Sequence, residues 1–208
     1  MEVGVIYHTE IIKLQVEESI EGMRKTIMQR LLPAFDSIVL ESKTKEGDCL
    51  QRYSKVFNPD IMDEGCTYED AYFEGLNYLF AEESLKQEFL NITVPWIFHL
   101  FEKQKKLVFG TDKTNEIKLK LAKINIDLNL NNNWQIVNKE LRHLANTIKH
   151  GLKSDAAQSL AACRPDLIVN EEIRVTKVDV EKYIHALNIF WDDYFKLTII
   201  TYQTPELR

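Results

Sequence analysis

Arg142, Asn146 and His150 follow one another at intervals of four in ELRHLANTIKHG, residues 140–151. At about 100° per residue, that interval draws one stripe along a helix. Trp134, Val137, Leu141, Leu144 and Ile148 fall on a different arc, roughly 80–160° away, so the stripe lies off the core-facing side. Lys149 sits within about 20° of Arg142, and His143 about 100° round from it. These residue types carry usable chemistry. Histidine exchanges a proton near neutral pH. Arginine holds a phosphate bidentately and stabilises developing negative charge. Asparagine orients either. Together they suit attack of an RNA 2′-hydroxyl on the neighbouring phosphate, a reaction that needs no metal or cofactor. The plainer alternative is a solvated helix end, where Lys149 and His150 complement the dipole.

Other candidates are weaker. Glu102 follows a dense aromatic run and could face the same site. His99, among Trp96, Phe98 and Phe101, reads as a packed core histidine. Asp192 and Asp193 are adjacent carboxylates that point about 100° apart on a helix, which disfavours a shared metal. P-loop, Rossmann, GxSxG and zinc patterns are absent from the sequence.

The elements that would position the stripe are helical. Val16, Ile20, Met23, Ile27 and Leu31 repeat at three and four over a helix from about 10 to 32, and Pro33 kinks or ends it. A further helical stretch carries Phe35, Ile38 and Val39 up to the polar ESKTKEGD, and residues 51–65 read as a loop. One helix starts near Thr67 and Asp70, and a second, opened or kinked by Pro95, runs to about Phe109. Residues 115–124 are helical in composition. INIDLNLNNN, residues 124–133, alternates as a short extended segment. The Trp134–His150 helix ends at Gly151, a position for a C-terminal cap. Ser154 opens another short helix that Arg164-Pro165 stops. Residues 170–178 suit a short strand, and Tyr183, Leu187, Phe190, Trp191 and Tyr194 line a last helix. The expected fold class is all-α, a bundle of about six or seven helices with room for one short strand pair. All 208 residues are expected in a single helical domain.

Composition narrows the classes further. Seven Gly and five Pro are too few for a turn-rich sandwich or barrel. Cys49, Cys66 and Cys163 have no CxxC spacing and read as buried free thiols in a reducing, cytoplasmic setting. The N-terminal residues lack a signal-peptide pattern, and no apolar run is long enough to span a membrane. The net charge of −6 disfavours bulk DNA binding. From Lys103 to Lys153, however, eleven Lys/Arg face four Asp/Glu, a local +7, suited to an anion or an acidic surface.

ELRHLANTIKHG, with Trp134 before it and CRPDL (residues 163–167) after it, resembles the HEPN-like superfamily (higher eukaryotes and prokaryotes nucleotide-binding domains). The specific match covers about 134–167. The resemblance implies a helical bundle, often a homodimer with the polar side of the Trp134–His150 helix at or beside the contact. It also implies a metal-independent ribonuclease of bacterial toxin–antitoxin or antiviral defence, with a possible antitoxin-like partner protein. Arg142 takes the place of the family's arginine and His143 that of the polar residue after it. His150 takes the place of the histidine, with seven residues intervening where the family has four to six. Arg142 and His150 are then the catalytic pair, supported by His143, Asn146, Lys149 and Glu102. A non-catalytic interaction module and a nucleotide-binding sensor are the alternatives.

Overall fold

The computed structural model describes residues 2–123 and 127–203, with side chains over 8–123 and 127–200. The fold is all-α, with one short antiparallel strand pair among the described residues. In chain order the helices are α1 (Glu2–Lys25), α2 (Ile38–Val56), α3 (Glu64–Phe109), α4 (Thr114–Ala122), α5 (Asn132–Gln135), α6 (Arg142–His150), α7 (Asp155–Cys163) and α8 (Lys177–Gln203). A π-helical stretch, Thr26–Leu31, and a 3-10 turn, Leu32–Phe35, follow α1, and a second π-helical stretch, Ile136–Leu141, joins α5 to α6. β1 (Ile168–Val169) pairs with β2 (Glu172–Ile173), with Val169 opposite Glu172. The two-residue loop between them, Asn170 and Glu171, has φ of 52° and 61°, the positive values that a tight hairpin requires.

Contacts group the chain into two compact units, one of Thr26–Phe89 and one of the residues up to Lys25 with those from Leu90 onward. The larger unit has the aromatic core. Phe101 meets Trp134 edge-on at 5.7 Å and Phe190 at 6.0 Å, and all three are almost fully buried. Gln104, also buried, ties three helices together. Its Oε1 accepts from Trp191 Nε1 at 2.7 Å and its Nε2 donates to Ser19 Oγ at 2.9 Å, so a polar side chain inside the core is satisfied on both ends. Val16, Ile20 and Met23 of α1 are buried, as their spacing predicts.

The smaller unit is an antiparallel pair made of α2 and the first half of α3. Ser42 Oγ donates to the Gly75 carbonyl at 2.7 Å. A Cβ on Gly75 would meet the Ser42 carbonyl at 3.0 Å, so the missing side chain allows the close approach. Tyr53 Oη donates to Asp70 at 2.8 Å further along the pair.

Several boundaries differ from the sequence reading. ESKTKEGD and the residues after it continue α2 to Val56, because Ser42 and Cys49 on one side are buried while the polar residues stay in water. α3 is one 46-residue helix with Pro95 inside it. Val94, Ile97 and Phe98 around that proline are buried, and their packing outweighs the lost backbone bond. Residues 127–131 form a turn, with Leu128 buried, while 124–126 lie outside the described residues. Cys66 and Cys163 are exposed, and only Cys49 is buried. No helix among the described residues is long and apolar enough to cross a membrane.

Candidate functional site

α6 has Arg142, Asn146 and Lys149 on one side. Asn131 caps the preceding turn by accepting from Trp134 N at 2.8 Å, and Trp134, Val137, Leu141 and Leu144 anchor the other side in the core. The helix ends at Gly151, whose φ of 83° suits glycine and whose N–H closes onto Thr147.

Lys149 Nζ lies 2.9 Å from His99 Nε2 on α3, and His99 Nδ1 lies 3.1 Å from Glu102 Oε2. A carboxylate accepts and an ammonium donates, so the ring carries its proton on Nδ1 and offers Nε2 as an acceptor. The result is a carboxylate–imidazole–ammonium chain in which Glu102 sets the tautomer of His99. His99 is half exposed, not packed in the core. Phe98 and Phe101 turn inward, and the step of about 100° from Phe98 to His99 carries the imidazole off that inward face.

Lys105, two turns beyond His99, is buried at 4% exposure. Its Nζ lies 4.9 Å from the Phe101 ring centre and 3.4 Å from the Asp112 carbonyl. Burial pushes its ammonium below the usual lysine range, and the nearby Arg142 charge adds to this. Lys149 meets His99 while the charge of Arg142 acts on Lys105, the order that antiparallel helices would give. A Lys105→Met variant removes a buried charge and is expected to be at least as stable as the wild type at pH 7. Its advantage shrinks as pH rises towards the ordinary lysine range, because the wild-type penalty vanishes once Lys105 is neutral in both states. Denaturant midpoints at pH 7 and pH 10 check both points; a destabilised variant would show that the charge itself contributes to the fold.

The Arg142 side chain is exposed and makes no ion pair or hydrogen bond among the described residues. Asn146 is half-buried on the same side. His143 is also half-buried, and burial, then the charges of Arg142 and Lys139, lower its pKa. The structure therefore places Arg142, Asn146, Lys149 and Glu102 along the α3–α6 seam with His99. His150 is separate. About 80° round α6 from Arg142, it lines an open cleft of about 780 Å³ with Lys153, Gln158 and Glu171. Among the described residues, no three His, Cys, Asp or Glu side chains are grouped to hold a metal ion.

The Arg164 of CRPDL has a structural place. Its guanidinium contacts Glu140 on the π-helical stretch, Asp179 on α8 at 2.7 Å and Asp166 at 2.7 Å. Glu140 also accepts from Lys182 Nζ and Tyr183 Oη, both at 2.8 Å. Hydrogen bonds, first with Asp166, raise the Arg164 pKa, and burial raises that of Tyr183. Thr176 and Asp179 cap α8 reciprocally, Thr176 N donating to Asp179 Oδ2 at 3.0 Å and Asp179 N to Thr176 Oγ1 at 3.2 Å. This clasp holds the helix that carries Arg142 against α8. Single-residue spacing could not reveal it, because its partners are distant in sequence.

Comparison with protein-family models, curated proteins and solved structures finds no match.

Proposed function

We propose that this protein binds RNA phosphodiesters along the α3–α6 seam and cleaves them without a metal, as a HEPN-like endoribonuclease of a toxin or defence system. The observation that carries this reading is the exposed Arg142, free of any carboxylate partner among the described residues, on the same helix side as a lysine that engages a tautomer-fixed histidine. Arg142 holds the phosphate and stabilises its developing charge. The phosphate competes for Lys149 and frees His99 Nε2. His99 then takes the proton of the 2′-hydroxyl as the 2′-oxygen bonds to phosphorus. The bond from phosphorus to the 5′-oxygen breaks, and that oxygen leaves with a proton from the Lys149 ammonium. Glu102 keeps the imidazole in the working tautomer and stabilises it once protonated. Asn146 orients the phosphate.

Purified protein freed of any inhibitor partner should cleave RNA in EDTA and leave 2′,3′-cyclic phosphate ends. Binding should weaken steeply between 50 and 200 mM salt, because lysine and arginine contacts to phosphate release counterions (a few such contacts cost about tenfold or more over that range). Intact RNA across a broad panel would remove the catalytic assignment, and salt-independent binding would remove the basic seam as the contact surface.

A further inference from the structure

In the unit of Thr26–Phe89, the end of α2 and the start of α3 border an open cleft of about 490 Å³, within the size range of small-molecule sites. Leu50 and Tyr53 come from the last turns of α2, and Phe57 from the residue after it. Glu64, Thr67 and Tyr68 come from the first turns of α3. Local spacing explains both groups. Leu50, Tyr53 and Phe57 are three and four residues apart, and Thr67 and Tyr68 lie three and four beyond Glu64, the intervals that share one helix side. The residues between the helices are held by short-range bonds. Met62 N donates to the Asn58 carbonyl at 2.8 Å and Gly65 N to Asp63 Oδ1 at 2.7 Å.

Three aromatic rings and one carboxylate line this cleft, and among the described residues no lysine or arginine does. The Tyr53 hydroxyl donates to Asp70 at 2.8 Å, which restrains its ring. The ring contacts within this unit join Phe35 to Phe89 and Tyr72 to Phe73, and its cation–ring contact is Lys45 over Tyr78. Among the described residues, then, no other ring or cation already occupies the three cleft rings. Arg52, beside Tyr53 in the chain, is paired with Glu74. The whole unit has six Lys/Arg against thirteen Asp/Glu, a net −7, so an anionic ligand is disfavoured. A primary ammonium demands hydrogen-bond acceptors in place of its water, which aromatic faces do not supply. A fully methylated ammonium has no N–H to satisfy and is attracted by the ring faces.

We propose that this cleft binds a small quaternary ammonium compound of the choline type. The cationic head sits against Tyr53, Phe57 and Tyr68, and Glu64 supplies the balancing negative charge. Each ring–cation contact at an exposed site is worth about twofold to fivefold in affinity. Three rings together then raise it roughly tenfold to a hundredfold over a neutral molecule of the same shape. The ligand is the free alcohol and not its phosphate ester, because the lining has no cation to receive a phosphate. The site uses only residues of this unit and does not rest on the ribonuclease reading.

Calorimetric titration of the full chain tests it, with choline chloride as the probe and sodium chloride as the ionic control. Choline should bind with a Kd of about 1 mM or tighter. Dimethylbutanol, the neutral carbon isostere of choline, should bind about tenfold more weakly or worse, and phosphocholine should also be weaker. Tyr68→Leu and Phe57→Leu should each weaken choline binding by about twofold to fivefold, whereas Phe57→Tyr, which keeps the ring, should hold it. Glu64→Gln should weaken it as well and reduce its dependence on salt. Far-UV circular dichroism confirms that each variant keeps its helices. Equal binding of dimethylbutanol, or unchanged binding in the folded leucine variants, would overturn the proposal. Tighter binding of phosphocholine or of a trimethyl-lysine peptide, or no saturable choline binding up to about 20 mM, would do the same.

Discussion

Arg164→Met is expected to destabilise the larger unit by about 3 kcal/mol, because it leaves part-buried carboxylates without their shared cation. Glu140 and Asp179 are 15% and 10% exposed, and Arg164 bridges them. Lys182 still serves Glu140 in the variant, but Asp179 loses its only ion-pair partner among the described residues. For a chain of this length the loss corresponds to a fall in Tm of about 6–12 °C. A double-mutant cycle with Asp179→Asn separates this loss from lost packing, since asparagine keeps a cap on α8 while removing the charge. The coupling between the two sites should be about 1–3 kcal/mol. An additive cycle, with a loss under about 1 kcal/mol for Arg164→Met, would reduce the clasp to ordinary surface ion pairs. Acid should act on the same group. Burial opposes the Asp179 charge, but the hydrogen bonds from Arg164 and Thr176 outweigh it and hold its pKa below the usual range. A depressed carboxylate contributes stability that is complete above its unfolded pKa and is lost as pH falls through the folded value. The wild type should therefore lose more stability below about pH 4 than Arg164→Met does.

His99→Ala should cut metal-independent RNA cleavage by about a hundredfold or more, the usual contribution of a positioned acid or base. Arg142→Ala should lose a comparable factor through the phosphate contact and the charge it stabilises. Both side chains lie outside the core, so neither change should lower the thermal midpoint by more than a few degrees. His150→Ala is the discriminating control. The HEPN resemblance assigns it the proton-transfer role, whereas the geometry puts His99 in the relay and His150 in the cleft with Glu171. Retained activity in His150→Ala with loss in His99→Ala supports the seam. The reverse pattern would move the chemistry to the cleft, and equal retention in both would leave neither histidine as the base. Glu102→Gln adds a separate reading. It should lower the rate, because an amide can donate to Nδ1 as well as accept from it and no longer holds the imidazole in one tautomer.

The sequence by itself determined the fold class and much of the core, since both follow from local repetition. Apolar residues three and four apart lie on one side of a helix whatever surrounds it, so Val16, Ile20 and Met23, and likewise Trp134, Val137, Leu141 and Leu144, are legible as buried faces. The exposed side of α6 follows from the same arithmetic, and so does the glycine at its end. Tertiary structure decided which side chains meet. His99 reads as core from its aromatic neighbours, yet it faces Lys149, fifty residues away, and becomes the middle of a carboxylate–imidazole–ammonium chain. Arg164 reads as part of a local motif, but its partners lie 24 residues before it and 15 after it. Pro95 reads as a helix boundary, and α3 continues through it because Val94, Ile97 and Phe98 are buried around it. In each case the deciding free energy comes from burial and pairing between distant segments, which no local pattern encodes.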